Sequence, residues 1–133
     1  MEKGYSKGYS VEIIEASKEF TVREKLAMKE LGNAVGIDTA LDETDSLIIS
    51  PADYAVLKIH NDKAKGDKDY KKYVVIDEAG TKYVTGSESF FRNFIDIFET
   101  MKVEAPDEHY EIECYKRPSK NYNGKNFISC SMV

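Results

Sequence analysis

The sequence predicts a mainly β domain of the α+β class, a five-stranded Greek-key barrel with a helix between its third and fourth strands. Two observations carry this prediction. Short segments of alternating apolar and polar residues recur along the chain, whereas residues 87–105 have apolar side chains every three or four positions. With 133 residues, 41% of them hydrophobic, the chain has the size of one domain.

The N-terminal third is predicted to precede the barrel. The repeated tetrapeptide KGYS indicates a flexible arm over residues 1–10, and residues 11–14 are typical of a short strand. Thr21 and Glu24 have the spacing of a capping box, which predicts a helix of about three turns that ends at one of the next two glycines. Residues 11–45 therefore form an N-terminal extension.

The barrel is predicted to occupy residues 46–133, within a single domain of residues 11–133. After an acidic turn at 38–45, residues 47–49 indicate a short buried strand. Residues 54–59 alternate as a half-buried strand does. The strand is expected to turn one face to the core, with Ala55, Leu57 and Ile59, and the other to solvent, with Tyr54, Val56, Lys58 and His60.

The remaining elements complete the predicted barrel. Residues 70–76 and 81–85 continue an antiparallel meander, and Ser87 is expected to cap the helix. The core face of that helix is predicted to carry Phe90, Phe91, Phe94, Ile95, Phe98 and Met101. Residues 110–115 and 126–133 form a closing hairpin. This order is that of an OB-fold, an oligonucleotide- or oligosaccharide-binding barrel, with an extra N-terminal strand and helix.

Basic charge is concentrated in two stretches although the net charge is −5. Residues 51–85 carry seven basic and six acidic side chains, and residues 109–133 carry four and two, while the other blocks are acidic. Both stretches also contain aromatic rings, and single-stranded nucleic acids bind to cations and stacking rings on one surface. The residues predicted to form a nucleic-acid site are Lys58, His60, Lys63, Lys65, Lys68, Tyr70, Lys72 and Tyr73 in the first stretch, and Tyr115, Lys116, Arg117, Lys120, Tyr122, Lys125 and Phe127 in the second.

Several other classes of protein are disfavoured. None of the common nucleotide-binding, zinc or hydrolase motifs occurs, so we expect no enzyme, no catalytic residue, no metal and no cofactor. His109, Glu111 and Glu113 have strand spacing, but a solvated polar face is favoured over a metal site. Cys114 and Cys130 are expected to be small buried residues of a reduced, cytoplasmic protein. The longest apolar runs are too short to cross a membrane, and the first ten residues lack a secretory signal.

The sequence of residues 54–133 resembles the small single-stranded DNA-binding proteins of phages and conjugative elements of Gram-positive bacteria. The resemblance lies in the strand YAVLKIHND, the hairpin YVVIDEAGTKYVT, the helix GSESFFRNFIDIF and the closing hairpin YEIECYKRPSKNYNGKNFISCSMV. It implies an OB-like barrel that coats single-stranded DNA during replication or transfer, without a cofactor. The acidic N-terminal third is not a general feature of that family, and recruitment of partners through an acidic C-terminal tail is not expected.

The sequence therefore predicts a non-enzymatic, cytoplasmic protein that binds single-stranded DNA with little sequence preference. RNA as a ligand and a homo-oligomer are left open. The alternative is an acidic protein-interaction or DNA-mimic module of a mobile element that does not bind DNA, for which the net charge of −5 is the support. A small nuclease ranks third, because no carboxylate cluster has a recognisable metal-binding spacing.

Overall fold

Two β-sheets and three α-helices make up the fold, which is given by a computed structural model that describes residues 5–6, 8–118 and 126–133. The strands are β1 (Tyr5–Ser6), β2 (Tyr9–Ala16), β3 (Val35–Gly36), β4 (Leu47–Ile49), β5 (Pro51–Asn61), β6 (Asp69–Asp77), β7 (Lys82–Thr85), β8 (Ile112–Pro118) and β9 (Asn126–Met132). The helices are α1 (Val22–Lys29), α2 (Ile37–Glu43) and α3 (Glu88–Glu104). The mixed α+β class and the predominance of strands are as predicted.

The larger sheet has six strands in the order β1-β2-β5-β6-β7-β3, and the smaller has three in the order β4-β8-β9. All pairs are antiparallel except β3 and β7. Only Ser50 separates β4 from β5, so residues 47–61 pair first with β8 and then with β2 and β6. The helix α3 follows the meander β5-β6-β7 and precedes β8, as the sequence predicts, but the strand pairings of the described residues do not join the sheets into a closed barrel.

The N-terminal strands extend the edge of the larger sheet. Tyr5 and Ser6 pair with Ser10 and Tyr9, so the described part of the predicted arm is hydrogen-bonded rather than separate from the domain. The turn between the two strands requires glycine, because Gly8 has φ +80° and a Cβ there would lie 2.8 Å from an Asp62 carboxylate oxygen.

The helix α1 begins at the predicted capping box. The Glu24 amide donates to the Thr21 hydroxyl at 3.2 Å, and the Thr21 amide donates to the Glu24 carboxylate at 2.8 Å. The helix ends at Lys29, before both glycines, and is shorter than the predicted three turns. Its end is defined by a tertiary contact, since the Lys82 ammonium donates to the carbonyls of Ala27 and Glu30.

The segment predicted as an acidic turn is partly helical. Residues Ile37–Glu43 form α2, so the prediction of a turn over 38–45 is wrong there. Ile37 and Leu41 are four residues apart and both are buried, which places them on the one face of α2 that packs into the core.

The two faces of the larger sheet belong to two different cores. On one face, Tyr54 and Val75 pack against the three buried phenylalanines of α3 and against the small sheet. On the other face, Leu57, Ile59 and Val74 pack beneath Phe20 and Met28 of the N-terminal extension. The expectation that Tyr54 and Val56 face solvent is therefore wrong, since both are buried.

The predicted closing hairpin is formed by β8 and β9. Cys114 lies opposite Cys130 and Ile112 opposite Met132, and Ser87 caps α3 by accepting a hydrogen bond from the Phe90 amide at 3.1 Å. Among the described residues no helix is long and apolar enough to span a membrane.

Candidate nucleic-acid interface

The outward face of the β8–β9 hairpin carries two aromatic rings and a guanidinium. Arg117 lies opposite Phe127, and Tyr115 lies opposite Ser129, so the three side chains share the face that points away from the Cys114–Cys130 pair. Phe127 is 36% exposed and Tyr115 is half-buried, and neither ring belongs to either core cluster. The Ser131 hydroxyl donates to the Tyr115 hydroxyl at 3.2 Å. Both rings therefore lie on the side of the hairpin that points away from the core.

Lys116 lies on the other side of the same strand. Its ammonium pairs with the Asp42 carboxylate of α2, which offsets part of its charge. The structure therefore separates Lys116 from Tyr115 and Arg117, although all three were predicted to belong to one site. Three further predicted residues, Lys120, Tyr122 and Lys125, lie outside the described residues.

Two lysines face each other across the first basic stretch. Lys58 on β5 lies directly opposite Lys71 on β6, and both are exposed. Neither forms an ion pair with a carboxylate in the part of the chain that the structure describes. Lys71 was not among the predicted site residues. Its pairing with Lys58 depends on the register of β5 and β6, which the sequence alone does not specify.

His60, which lies on the same face as Lys58, is held between two carboxylates. Its Nδ1 is 2.8 Å from an Asp69 oxygen, and its Nε2 is 2.7 Å from an Asp62 oxygen. Hydrogen bonds from Asp69 and then Asp62 raise the pKa of His60 above its usual value. Both ring nitrogens are therefore engaged by protein groups, which leaves His60 a weaker phosphate contact than predicted.

The loop between β5 and β6 supplies two further exposed cations. Lys63 and Lys65 are exposed, whereas the Lys68 ammonium donates to the Asp62 carbonyl at 2.7 Å. Of the lysines in this loop, Lys63 and Lys65 therefore fit the predicted contact with nucleic acid most closely.

Tyr70 and Lys72 lie on the opposite face of β6 from Lys71. They pair with Ile59 and Leu57, which face the core beneath α1. Tyr70 packs at the edge of that core, and Lys72 is half-buried. The prediction that Lys58 and Lys72 share a surface is wrong, because strand neighbours of Lys71 point to the other side of the sheet.

Tyr73 is part of the core and not a free stacking surface. It is 6% exposed, and its ring stacks on Phe91 with the centroids 4.5 Å apart. Burial also raises the pKa of its hydroxyl. The helix α3 therefore covers the ring that was predicted to stack on a base.

The start of α3 lies between the two basic stretches. A Cβ on Gly86 would lie 3.9 Å from the Lys71 carbonyl oxygen and 3.5 Å from the Lys72 ammonium. Three residues later, the Ser89 hydroxyl donates to the Ile128 carbonyl at 2.9 Å. Lys71 and Phe127 are therefore at the same end of the molecule, on either side of residues 86–89.

Two grooves of the described structure lie elsewhere. One of about 390 Å³ is near the end of α3, beside Phe98 and Tyr110, and one of about 490 Å³ is between α1 and Lys82. No group of three or more metal-ligating side chains occurs within residues 8–118 and 126–133. His109 Nδ1 lies 3.1 Å from a carboxylate oxygen of Glu78, which is in the turn between β6 and β7.

Comparison with known proteins adds two findings. No protein-family model matches the chain, and no solved structure matches it significantly.

Proposed function

We propose that this protein binds single-stranded DNA with little sequence preference, and that it catalyses no reaction. The observation that supports this most directly is the outward face of β8–β9, where Tyr115 and Phe127 flank Arg117 on a surface that no core cluster includes. Base stacking on an aromatic ring contributes about 1–3 kcal/mol per base and does not depend on which base is present. Arg117 adds a cation for the phosphates or for a base.

The proposal includes an OB-like arrangement of residues 46–133. Its five strands would be the bent segment 47–61 followed by β6, β7, β8 and β9, with α3 after the third strand. In such barrels the loops after the first and fourth strands bind oligonucleotides. Here those loops are the one that carries Lys63 and Lys65 and the one that follows Pro118.

The biological setting is proposed from the resemblance of residues 54–133 to the single-stranded DNA-binding proteins of phages and conjugative elements. The protein would coat DNA in the cytoplasm during replication or transfer. The alternative, an acidic module that binds a protein partner, has the net charge of −5 as its support.

The test is fluorescence anisotropy with a labelled oligo-dT, competed with duplex DNA and repeated at several salt concentrations. We expect binding that duplex DNA competes poorly. The double variant Tyr115→Ala/Phe127→Ala should bind at least about tenfold more weakly, since two stacking contacts are lost.

The matched control is Ile48→Ala. Ile48 is 45% exposed and lies on the same outward face of the small sheet, two strands away from Phe127. Its loss should leave the affinity unchanged. Absence of wild-type binding at low salt would overturn the proposal and direct attention to a protein partner.

A further inference from the structure

We propose that Lys58 and Lys71 together bind the phosphate backbone of the single-stranded DNA, and that Lys72 does not. This inference rests on the proposed function and deepens it, because it names a contact that the sequence assigns to the wrong lysine.

The register of β5 and β6 brings the two cations together. Directly opposite residues of antiparallel strands have Cβ atoms about 4.5–5.5 Å apart, and like charges at such positions repel each other. Glu12 lies opposite Lys58 on the other neighbouring strand, β2, but does not form an ion pair with it. An anion that contacts both ammonium groups would remove this repulsion.

Two carboxylates on the loop side of the pair are already engaged. Asp69 precedes Lys71 by two residues on the same face, and its carboxylate contacts His60 Nδ1. Asp62 contacts the other nitrogen of His60. His60 therefore engages the carboxylates of both Asp69 and Asp62, which follow the lysine pair toward the β5–β6 loop.

The opposite face of the strands is closed to a ligand. Leu57, Ile59 and Val74 are fully or almost fully buried there beneath the N-terminal extension. Lys72 lies at the margin of that covered face, with its ammonium beside Gly86. A nucleic-acid strand on the Lys58 side would therefore meet Lys71 but not Lys72.

The pair also lies at the same end of the molecule as the stacking rings. Gly86 lies near the Lys71 carbonyl, and the Ser89 hydroxyl donates to the carbonyl of Ile128, which follows Phe127 on β9.

The test compares Lys71→Gln with Lys72→Gln in the anisotropy titration with labelled oligo-dT. The two variants lose the same charge at adjacent positions on opposite faces. Each phosphate contact with single-stranded nucleic acid adds about 0.7 to the steepness of log affinity against log salt, so loss of one contact weakens binding about fivefold at about 0.1 M salt. We expect Lys71→Gln, and separately Lys58→Gln, to bind about fivefold more weakly and to show a shallower dependence of affinity on salt. Lys72→Gln should change neither the affinity nor the salt dependence.

The outcomes separate this inference from the proposed function. Failure of the wild-type protein to bind oligo-dT overturns both. Wild-type binding with equal affinities for Lys71→Gln and Lys72→Gln overturns only the assignment of the lysine pair. Urea unfolding of each variant identifies any loss of affinity that arises from loss of folded protein.

Discussion

At the scale of single residues, His60 has the environment that most clearly changes its chemistry. Its two nitrogens contact Asp69 and Asp62, and these contacts raise its pKa in the folded state. A histidine whose pKa is higher in the folded than in the unfolded chain binds its proton more tightly when folded. Its contribution to stability is therefore fully present below the unfolded pKa of about 6.5 and is lost as the pH rises through the folded value.

We predict that His60→Gln destabilises the protein more at about pH 6 than at about pH 9, because only the protonated ring gains from the two carboxylates. The free energies of unfolding of both proteins, measured by urea denaturation at each pH, test this. In NMR titrations, Asp69→Asn should lower the pKa of His60. An equal effect of His60→Gln at both pH values would contradict the prediction.

Two tyrosines show what the sequence pattern of a strand can and cannot predict about the exposure of a side chain. Tyr115 and Tyr73 both lie on strands with alternating patterns, and both were predicted to stack on bases. The structure leaves Tyr115 on an outward face and places Tyr73 under Phe91. The alternation identifies the two faces of each strand, but it does not reveal which face a distant helix covers.

At the scale of elements, the start of α3 is defined locally. Ser87 accepts from the Phe90 amide at 3.1 Å and thus satisfies one of the backbone donors that a helix N-terminus leaves free. The signal is contained in four neighbouring residues, which is why the sequence predicts this start correctly.

We predict that Ser87→Ala lowers the free energy of unfolding by about 1 kcal/mol, because the Phe90 amide loses its partner. Ser87→Asp should retain most of the stability, since a carboxylate oxygen accepts the same hydrogen bond at the positive end of the helix. Urea denaturation of the three proteins measures the differences. Equal stability of the alanine and aspartate variants would argue against the capping role.

The helix α2 was missed for a physical reason. It has seven residues, no side-chain hydrogen bond at its N-cap, and only Ile37 and Leu41 as buried residues. So short a helix is marginal without tertiary contacts. It forms where these two side chains can enter the core with α3 and the small sheet.

At the scale of the whole molecule, one core joins both sheets to α3. Cys114 and Cys130 lie opposite each other in this core, and Cys130 Sγ is 3.9 Å from the Phe90 carbonyl oxygen. Burial raises the pKa of both thiols, that of Cys130 to about 12. Thiolate is therefore scarce at neutral pH while the protein is folded.

We predict that both thiols react with an aromatic disulfide reagent only when the domain unfolds, because both side chains are buried in this core. The labelling rate should rise with urea in parallel with the unfolding rate. Ser131 is exposed and lies on the outward face of β9, next to Cys130. The variant Ser131→Cys should therefore add one thiol that reacts in the folded protein. Fast labelling of either native cysteine without urea would contradict the prediction.

The sequence by itself determined the α+β class, the order of the strands around α3, the capped helix starts and the closing hairpin. These features depend on side-chain periodicity and on hydrogen bonds between near neighbours, which the sequence contains directly. Only the tertiary structure decided that Lys71 lies opposite Lys58, that Lys72 lies on the other face of β6, that α3 covers Tyr73, and that Lys116 contacts Asp42. Each of these depends on which distant segment covers a strand face or lies beside it, and periodicity carries no information about that.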